Sequence, residues 1–282
     1  MPVRNLLVLA LVSVALALPA AAADITLEVA AGDVDRVDTP VTATVKLADP
    51  VADPVVMLKG PGGIVPGQVL ATADGTATVA FVVSLKKGKT AAYMCTIQPG
   101  KVTGAAFAFA DEKGQHLDLL FDGRKVTRFM YEFGHIDDAK ARFPVAKPFT
   151  HVFDSTGQYV ITSPGGNPYP HHRGIFLGYK VKSPRGGGDF WHVRNVWQRT
   201  EALVSAAGPV AGQMTATVLW ESKKDNPVVR EERTITVYRQ STAQLLLDFH
   251  SVLTPIEGEA EFGGDPEHAG CQFRPHFDVN KR

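Results

Sequence analysis

Apolar and polar residues alternate over short stretches through most of the chain, the period-2 signature of strands with one covered face. Toward the N-terminus the clearest cases are Ile25-Thr26-Leu27-Glu28-Val29, Val41-Thr42-Ala43-Thr44-Val45 and residues 76–83. Turn formers separate them, notably Gly60-Pro61-Gly62-Gly63 and Lys86-Lys87-Gly88-Lys89. This spacing predicts a small β-sandwich over residues 24–104. From Lys101 onward the apolar runs lengthen and become more aromatic. Residues 117–121 and 126–133 flank Asp122-Gly123 and read as a hairpin with a tight turn. Further strands are predicted at 158–162, 175–181, 214–221, 231–239 and 244–253. No amphipathic helix longer than two turns and no solenoid-length repeat is evident. The fold class is therefore all-β: antiparallel sandwiches, the larger spanning 105–282, with polar residues on loops and strand ends at one rim.

The first residues break this pattern. Arg4 precedes an uninterrupted apolar run over residues 6–18, then Pro19 and Ala20-Ala21-Ala22-Ala23. About a dozen apolar residues fall short of the roughly 20 a bilayer span requires, and the small-residue ending suits a signal peptidase. Residues 1–23 are thus expected to be a signal peptide cleaved between Ala23 and Asp24, which makes the protein periplasmic or secreted. Lys and Arg total 29 against 29 Asp and Glu, so no overall field would draw in nucleic acid or an anionic membrane. A small-molecule or glycan ligand fits better. Export would place Cys95 and Cys271 where a disulfide is permitted, yet Cys95 lies in Ala91-Ala92-Tyr93-Met94-Cys95, which reads as an ordinary buried strand.

Chemistry gathers in the second half, and none of the nine histidines precedes His116. His171, His172 and Arg173 follow Pro168-Tyr169-Pro170, and a loop there lets both rings face one pocket, as a regular strand would not. Asp189-Phe190-Trp191-His192 follows a triple glycine and offers an acid, stacking surface and an imidazole. Asp265-Pro266-Glu267-His268 leads into a segment whose alternation puts Gln272, Arg274 and His276 on one face and Cys271 and Phe273 toward the core. The histidines show no HxH or HExxH spacing, and Asp189, Asp265 and Glu267 are scattered. A divalent metal would need ligands from three loops, so no metal site and no cofactor is assigned. Nucleophile-elbow, phosphate-loop and dinucleotide-binding signatures are absent.

These same segments, together with Lys147-Pro148-Phe149-Thr150-His151-Val152-Phe153, Gly165-Gly166 and Val65-Pro66-Gly67-Gln68, resemble the PmoA-like family of exported bacterial proteins, often labelled "methane oxygenase". The label conflicts with the chain. A membrane monooxygenase subunit would show several apolar stretches of roughly 20 residues, and none follows the leader. Similar proteins continue past the Gln-Phe-Arg segment with further strands, so the resemblance implies that the larger sandwich is C-terminally incomplete, with an open edge or apolar patch near Phe273 and Phe277.

The larger sandwich is similar in plan to mutarotase-like domains, in which imidazole and carboxylate act across a sugar. The expected function is a carbohydrate-active enzyme, with hydrolysis, elimination and epimerisation all open. His171, His172 or His192 would serve as general acid and Asp189 or Glu267 as base, with His268 also in the catalytic set. Arg173, Trp191, Gln272, Arg274 and His151 form the expected binding set. The alternative is a non-catalytic glycan-binding or surface-interaction module using Trp191, Phe190 and Tyr169 as stacking platforms. Either way the seven residues His171, His172, Arg173, Asp189, His192, His268 and Arg274 are expected to converge on one pocket.

Overall fold

The computed structural model describes residues 24–104, 106–136, 138, 141, 143–166, 169–239 and 245–278, so the signal-peptide expectation lies outside the described residues. It is all-β, with no helix among those residues and hence none long and apolar enough to cross a membrane. Six strands form the first unit: β1 (Ile25–Ala30), β2 (Arg36–Lys46), β3 (Pro54–Gly60), β4 (Gly63–Ala73), β5 (Thr76–Leu85) and β6 (Thr90–Pro99). They make one antiparallel sheet in the order β1-β6-β3-β4-β5-β2. Ile25, Leu27 and Val29 at one edge pack on the same apolar cluster as Val41 and Val45 at the other, so the sheet folds over a shared core of Leu58, Val79, Phe81, Tyr93 and Cys95. Each such buried side chain contributes on the order of 2 kcal/mol.

The larger unit begins with β7 (Phe107–Glu112), β8 (His116–Phe121), β9 (Arg124–Met130), β10 (Phe149–Val152) and β11 (Ile175–Gly178). The predicted hairpin joins β8 to β9: Asp122 and Gly123 have φ of 51° and 77°, the paired left-handed conformation of a two-residue turn matched to strand twist. Next come β12 (Lys180–Ser183), β13 (Gly186–Asp189), β14 (Trp197–Ala207), β15 (Ala211–Lys223), β16 (Asn226–Tyr238), β17 (Leu246–Pro255), β18 (Glu261–Gly263) and β19 (Gly270–Phe273). A six-stranded sheet, β19-β11-β10-β9-β8-β7, packs on a four-stranded sheet, β14-β15-β16-β17, and a small β13-β12-β18 sheet closes one end. Leu117, Phe129 and Leu177 from the first meet Met214, Val218, Trp220 and Ile235 from the second in the main core.

A buried ionic network crosses that core. Glu231 and Arg233 are both 0% exposed and joined by two hydrogen bonds of 2.7 and 2.9 Å. The Glu231 carboxylate also accepts from Trp220 Nε1 at 2.8 Å and Ser251 Oγ at 3.0 Å, and Arg233 donates to the Pro148 carbonyl at 3.1 Å. The two units meet through Gln68 of β4, whose Oε1 accepts the backbone N–H groups of Val210 and Ala211 at 3.1 and 2.9 Å. β7 is tied to the same β14–β15 turn by a bond from the Phe107 N–H to the Gly208 carbonyl.

Two expected strands are corrected. Residues 158–162 make only isolated bridges, because Asp154 Oδ1 accepts the N–H groups of Gln158 and Tyr159 and curls the chain into a turn. The expected 175–181 strand splits at Tyr179 into β11 and β12, which join different sheets. The split lies where Gly178 meets the 189–192 turn: a Cβ on Gly178 would sit 2.8 Å from Trp191 Cα, and Phe190 N–H bonds the Tyr179 carbonyl. The last strand is also corrected. Gln272 and Arg274 are half-buried, while Cys271 and Phe273 are exposed. Their partners on β11 are Leu177 and Ile175, so both point to the inner side of the sheet, but β19 is the edge and nothing described covers them. Phe273 and Phe277 are 53% and 39% exposed, the apolar patch expected there. Both cysteines are free.

Candidate functional site

The outer face of the six-stranded sheet, opposite the main core, carries Phe149 and Phe176, and Trp191 lies across them fully buried. Loops from four parts of the chain cover this aromatic floor. Lys147, 2% exposed, donates to the Trp191 carbonyl at 2.8 Å and places its Nζ 3.7 Å from the Phe176 ring centre. His171 and His172 arrive on the turn before β11. The entry is tight: Gly174 has φ of 50°, and a Cβ there would stand 2.3 Å from the Thr150 carbonyl oxygen.

His192 and His268 arrive on two turns of the same construction. In the first, Asp189 Oδ1 accepts the His192 N–H at 2.9 Å and Oδ2 meets His192 Nδ1 at 2.8 Å. In the second, Asp265 Oδ1 accepts the Glu267 N–H at 3.1 Å and meets His268 Nδ1 at 2.6 Å. Both are Asp-x-x-His units in which the acid shapes the turn and orients the ring three residues on. Burial raises the Asp189 pKa, but the backbone and ring bonds from His192 outweigh it and hold the carboxyl below its ordinary value. The His268 ring bond likewise lowers Asp265. Ionised carboxylates only accept, so each Nδ1 carries the proton and each neutral ring has its lone pair on Nε2.

The four imidazoles form a chain of contacts. Ring centres are 4.3 Å apart for His171 and His172, 4.7 Å for His171 and His192, and 5.0 Å for His192 and His268. Tyr169 stacks on His172 at 4.9 Å, His268 stands edge-on to Trp191 at 5.9 Å, and the Arg274 guanidinium lies over the Trp191 ring at 5.8 Å. Burial, then neighbouring imidazoles and cations, pushes His171 down to about 3 and His172 down to about 4. Both rings are neutral at physiological pH. Burial, above all, also drives Lys147 well below its ordinary value.

Of the expected site residues, His171, His172, Asp189, Trp191, His192, His268 and Arg274 come together here. Arg173 lies beside them, its Nε donating to the Pro170 carbonyl at 3.0 Å and its guanidinium 5.7 Å from the Phe149 ring centre. Gln272, paired with Phe176, shares that face without a side-chain hydrogen bond among the described residues. His151 stays apart from the four rings; it is buried, bonds Thr162 Oγ1 at 3.0 Å, and is pushed down to about 4, first by burial and then by Arg173 and Arg128. Glu267 is exposed and contributes its backbone N–H rather than its carboxylate. Lys147 was missed as a site residue although its motif was visible, because nothing in a sequence marks a lysine as buried. Asp265 as a ring-orienting partner was also missed, although the repeated Asp-x-x-His spacing could have shown it.

A second polar group lies elsewhere. His135, Glu221 and Asp225 each offer one ligand atom within 4.8 Å of the others. The fully buried Glu221 already bonds His135 Nε2 at 2.6 Å and Arg199 Nε at 2.9 Å, which makes a structural ion pair its evident role.

The neutral buried histidines have a consequence for stability. Each prefers its uncharged form when folded, whereas the unfolded chain takes up protons below about pH 6.5. Their stabilising effect is therefore complete at neutral pH and is lost as pH falls from about 6.5 toward 4 for His151 and His172 and toward 3 for His171. For His151, which is 9% exposed, the loss should be on the order of 3 kcal/mol. Urea unfolding across this range should show the decline, and His151→Gln should flatten it. An identical pH dependence in that variant would show that His151 does not contribute.

The fold is that of an all-β sandwich protein, with a cluster of four histidines on the outer face of the six-stranded sheet. Residues 116–282 match the family of unknown function DUF6807, and the chain belongs to that family. No curated protein and no solved structure matches it.

Proposed function

We propose that this is an exported, PmoA-like carbohydrate-active enzyme that moves protons with the His192 and His268 imidazoles. The observation that carries the reading is the pair of Asp-oriented rings with centres 5.0 Å apart beside a buried tryptophan. Asp189 and Asp265 hold the rings by Nδ1, leaving each Nε2 for substrate. One ring in its neutral form takes a proton from a carbon, a hydroxyl or water. The other, as imidazolium, gives one to the departing or returning oxygen, stabilised by its carboxylate. This revises the expected roles of the acids: Asp189 positions a ring rather than acting as base, and Glu267 faces solvent. His171 and His172, neutral, serve as hydrogen-bonding walls, and the exposed Tyr169 ring stacked on His172 supplies apolar surface for a sugar.

Chromatography of an oligosaccharide panel incubated with the mature protein tests this. Conversion of at least one substrate is expected, with loss of conversion in His192→Ala and in His268→Ala at unchanged melting temperature. Tyr169 is 52% exposed and stacked on His172, an arrangement that also suits a glycan-binding module. Saturable binding with no product, unaffected by His192→Ala, would decide for that reading.

A further inference from the structure

Three buried nitrogen atoms at the site, His172 Nε2, Trp191 Nε1 and Arg274 Nε, have no hydrogen-bond partner among the described residues. Leaving a buried polar group unpaired costs about 1–3 kcal/mol, more for a charged group. The three are neighbours: Arg274 lies over the Trp191 ring, and its charge disfavours protonation of His172. Ion pairing there is also uneven. Asp189 and Asp265 face ring nitrogens of His192 and His268, while neither Arg173 nor Arg274 forms an ion pair among the described residues. A guanidinium keeps its charge even when partly buried, as both are, and its fork suits a carboxylate.

We infer that the natural ligand is an acidic sugar, a uronic acid or a glycan ending in one, whose carboxylate seats against Arg274 and His172 while its ring lies against the exposed Tyr169. This rests on the carbohydrate reading above and narrows it to one class. A neutral sugar would leave the Arg274 charge and the unpaired nitrogens desolvated without compensation. A carboxylate accepts two guanidinium N–H groups side by side, whereas a hydroxyl answers only one. The donor arrangement therefore selects for charge as well as shape.

Calorimetric titration of the full mature chain with glucuronate, galacturonate, glucose, galactose and acetate separates the components. At least one uronate should bind ten-fold or more tighter than its neutral counterpart and than acetate. Arg274→Gln should abolish that preference, and Arg274→Lys, which keeps the charge without the fork, should retain part of it. Equal affinity for uronate and neutral sugar in the wild-type chain would overturn the acidic-sugar inference and leave the carbohydrate reading standing. Acetate binding as tightly as the uronates would overturn the sugar component. Failure of every sugar to bind would overturn both inference and reading. A melting temperature within a few degrees of wild type for either Arg274 variant secures the comparison.

Discussion

Replacing Glu231 by Ala should destabilise the protein by about 3–5 kcal/mol, a larger loss than any single apolar truncation near the surface would produce. The carboxylate is 0% exposed and accepts from Arg233, Trp220 and Ser251. Its removal leaves the Arg233 guanidinium, also 0% exposed, with the Pro148 carbonyl as its remaining described acceptor, and orphans the Trp220 indole N–H. Taking a charge out of water without a partner is what makes the single change so costly. The expected signature is a fall in melting temperature of roughly 10 °C for a domain of this size. The double variant Glu231→Leu/Arg233→Met removes both charges together and should recover most of that loss. A single variant within about 1 kcal/mol of wild type would mean that water reaches the pair.

The second large effect is expected at Asp189. On any substrate the protein converts, Asp189→Asn should lower turnover by about 10²–10⁴-fold, the range for groups that set the tautomer and stabilise the charged form of a catalytic imidazole. The change keeps size and turn-forming ability, since Asn can still accept the His192 N–H. What it removes is the negative charge 2.8 Å from His192 Nδ1. The imidazolium form then loses its partner, so turnover should fall while yield and melting temperature stay close to wild type. A purely structural role would reduce yield and melting temperature along with the rate. Unchanged activity would remove His192 from the proposed chemistry.

The alternation of apolar positions made most of the fold legible. It marked the strands at 25–29, 41–45, 76–83 and 214–221, and the Asp122-Gly123 turn fixed a hairpin, because each is a local property of a few adjacent residues. The features it did not show depend on distant partners. Tyr179 interrupts an apolar run that reads as one strand, and the interruption arises from the turn packed on Gly178, which is contributed by residues 189–192. Residues 158–162 look like a strand until the Asp154 side chain captures their N–H groups. At the site, the residue types were visible and their assembly was expected from the cost of burying them singly. The division of labour was not: whether Asp189 acts on substrate or on His192 is a matter of a few ångströms, and whether Lys147 is charged depends on what covers it.

The boundary of the family match has its own consequence. The recognisable stretch starts at His116, the first residue of β8, yet β8 is flanked on one side by β7, which lies ahead of it in the chain. Phe107 and Phe109 of β7 pack on Leu119, Val237 and Leu247, and the turn that β7 reaches is in turn held by Gln68 of the smaller sandwich. What sequence comparison delimits and what folds as a piece are thus two different objects in this molecule. A fragment cut at the comparison boundary would open a strand edge beside an apolar seam, so the natural unit of inheritance for this site includes residues that carry none of its chemistry.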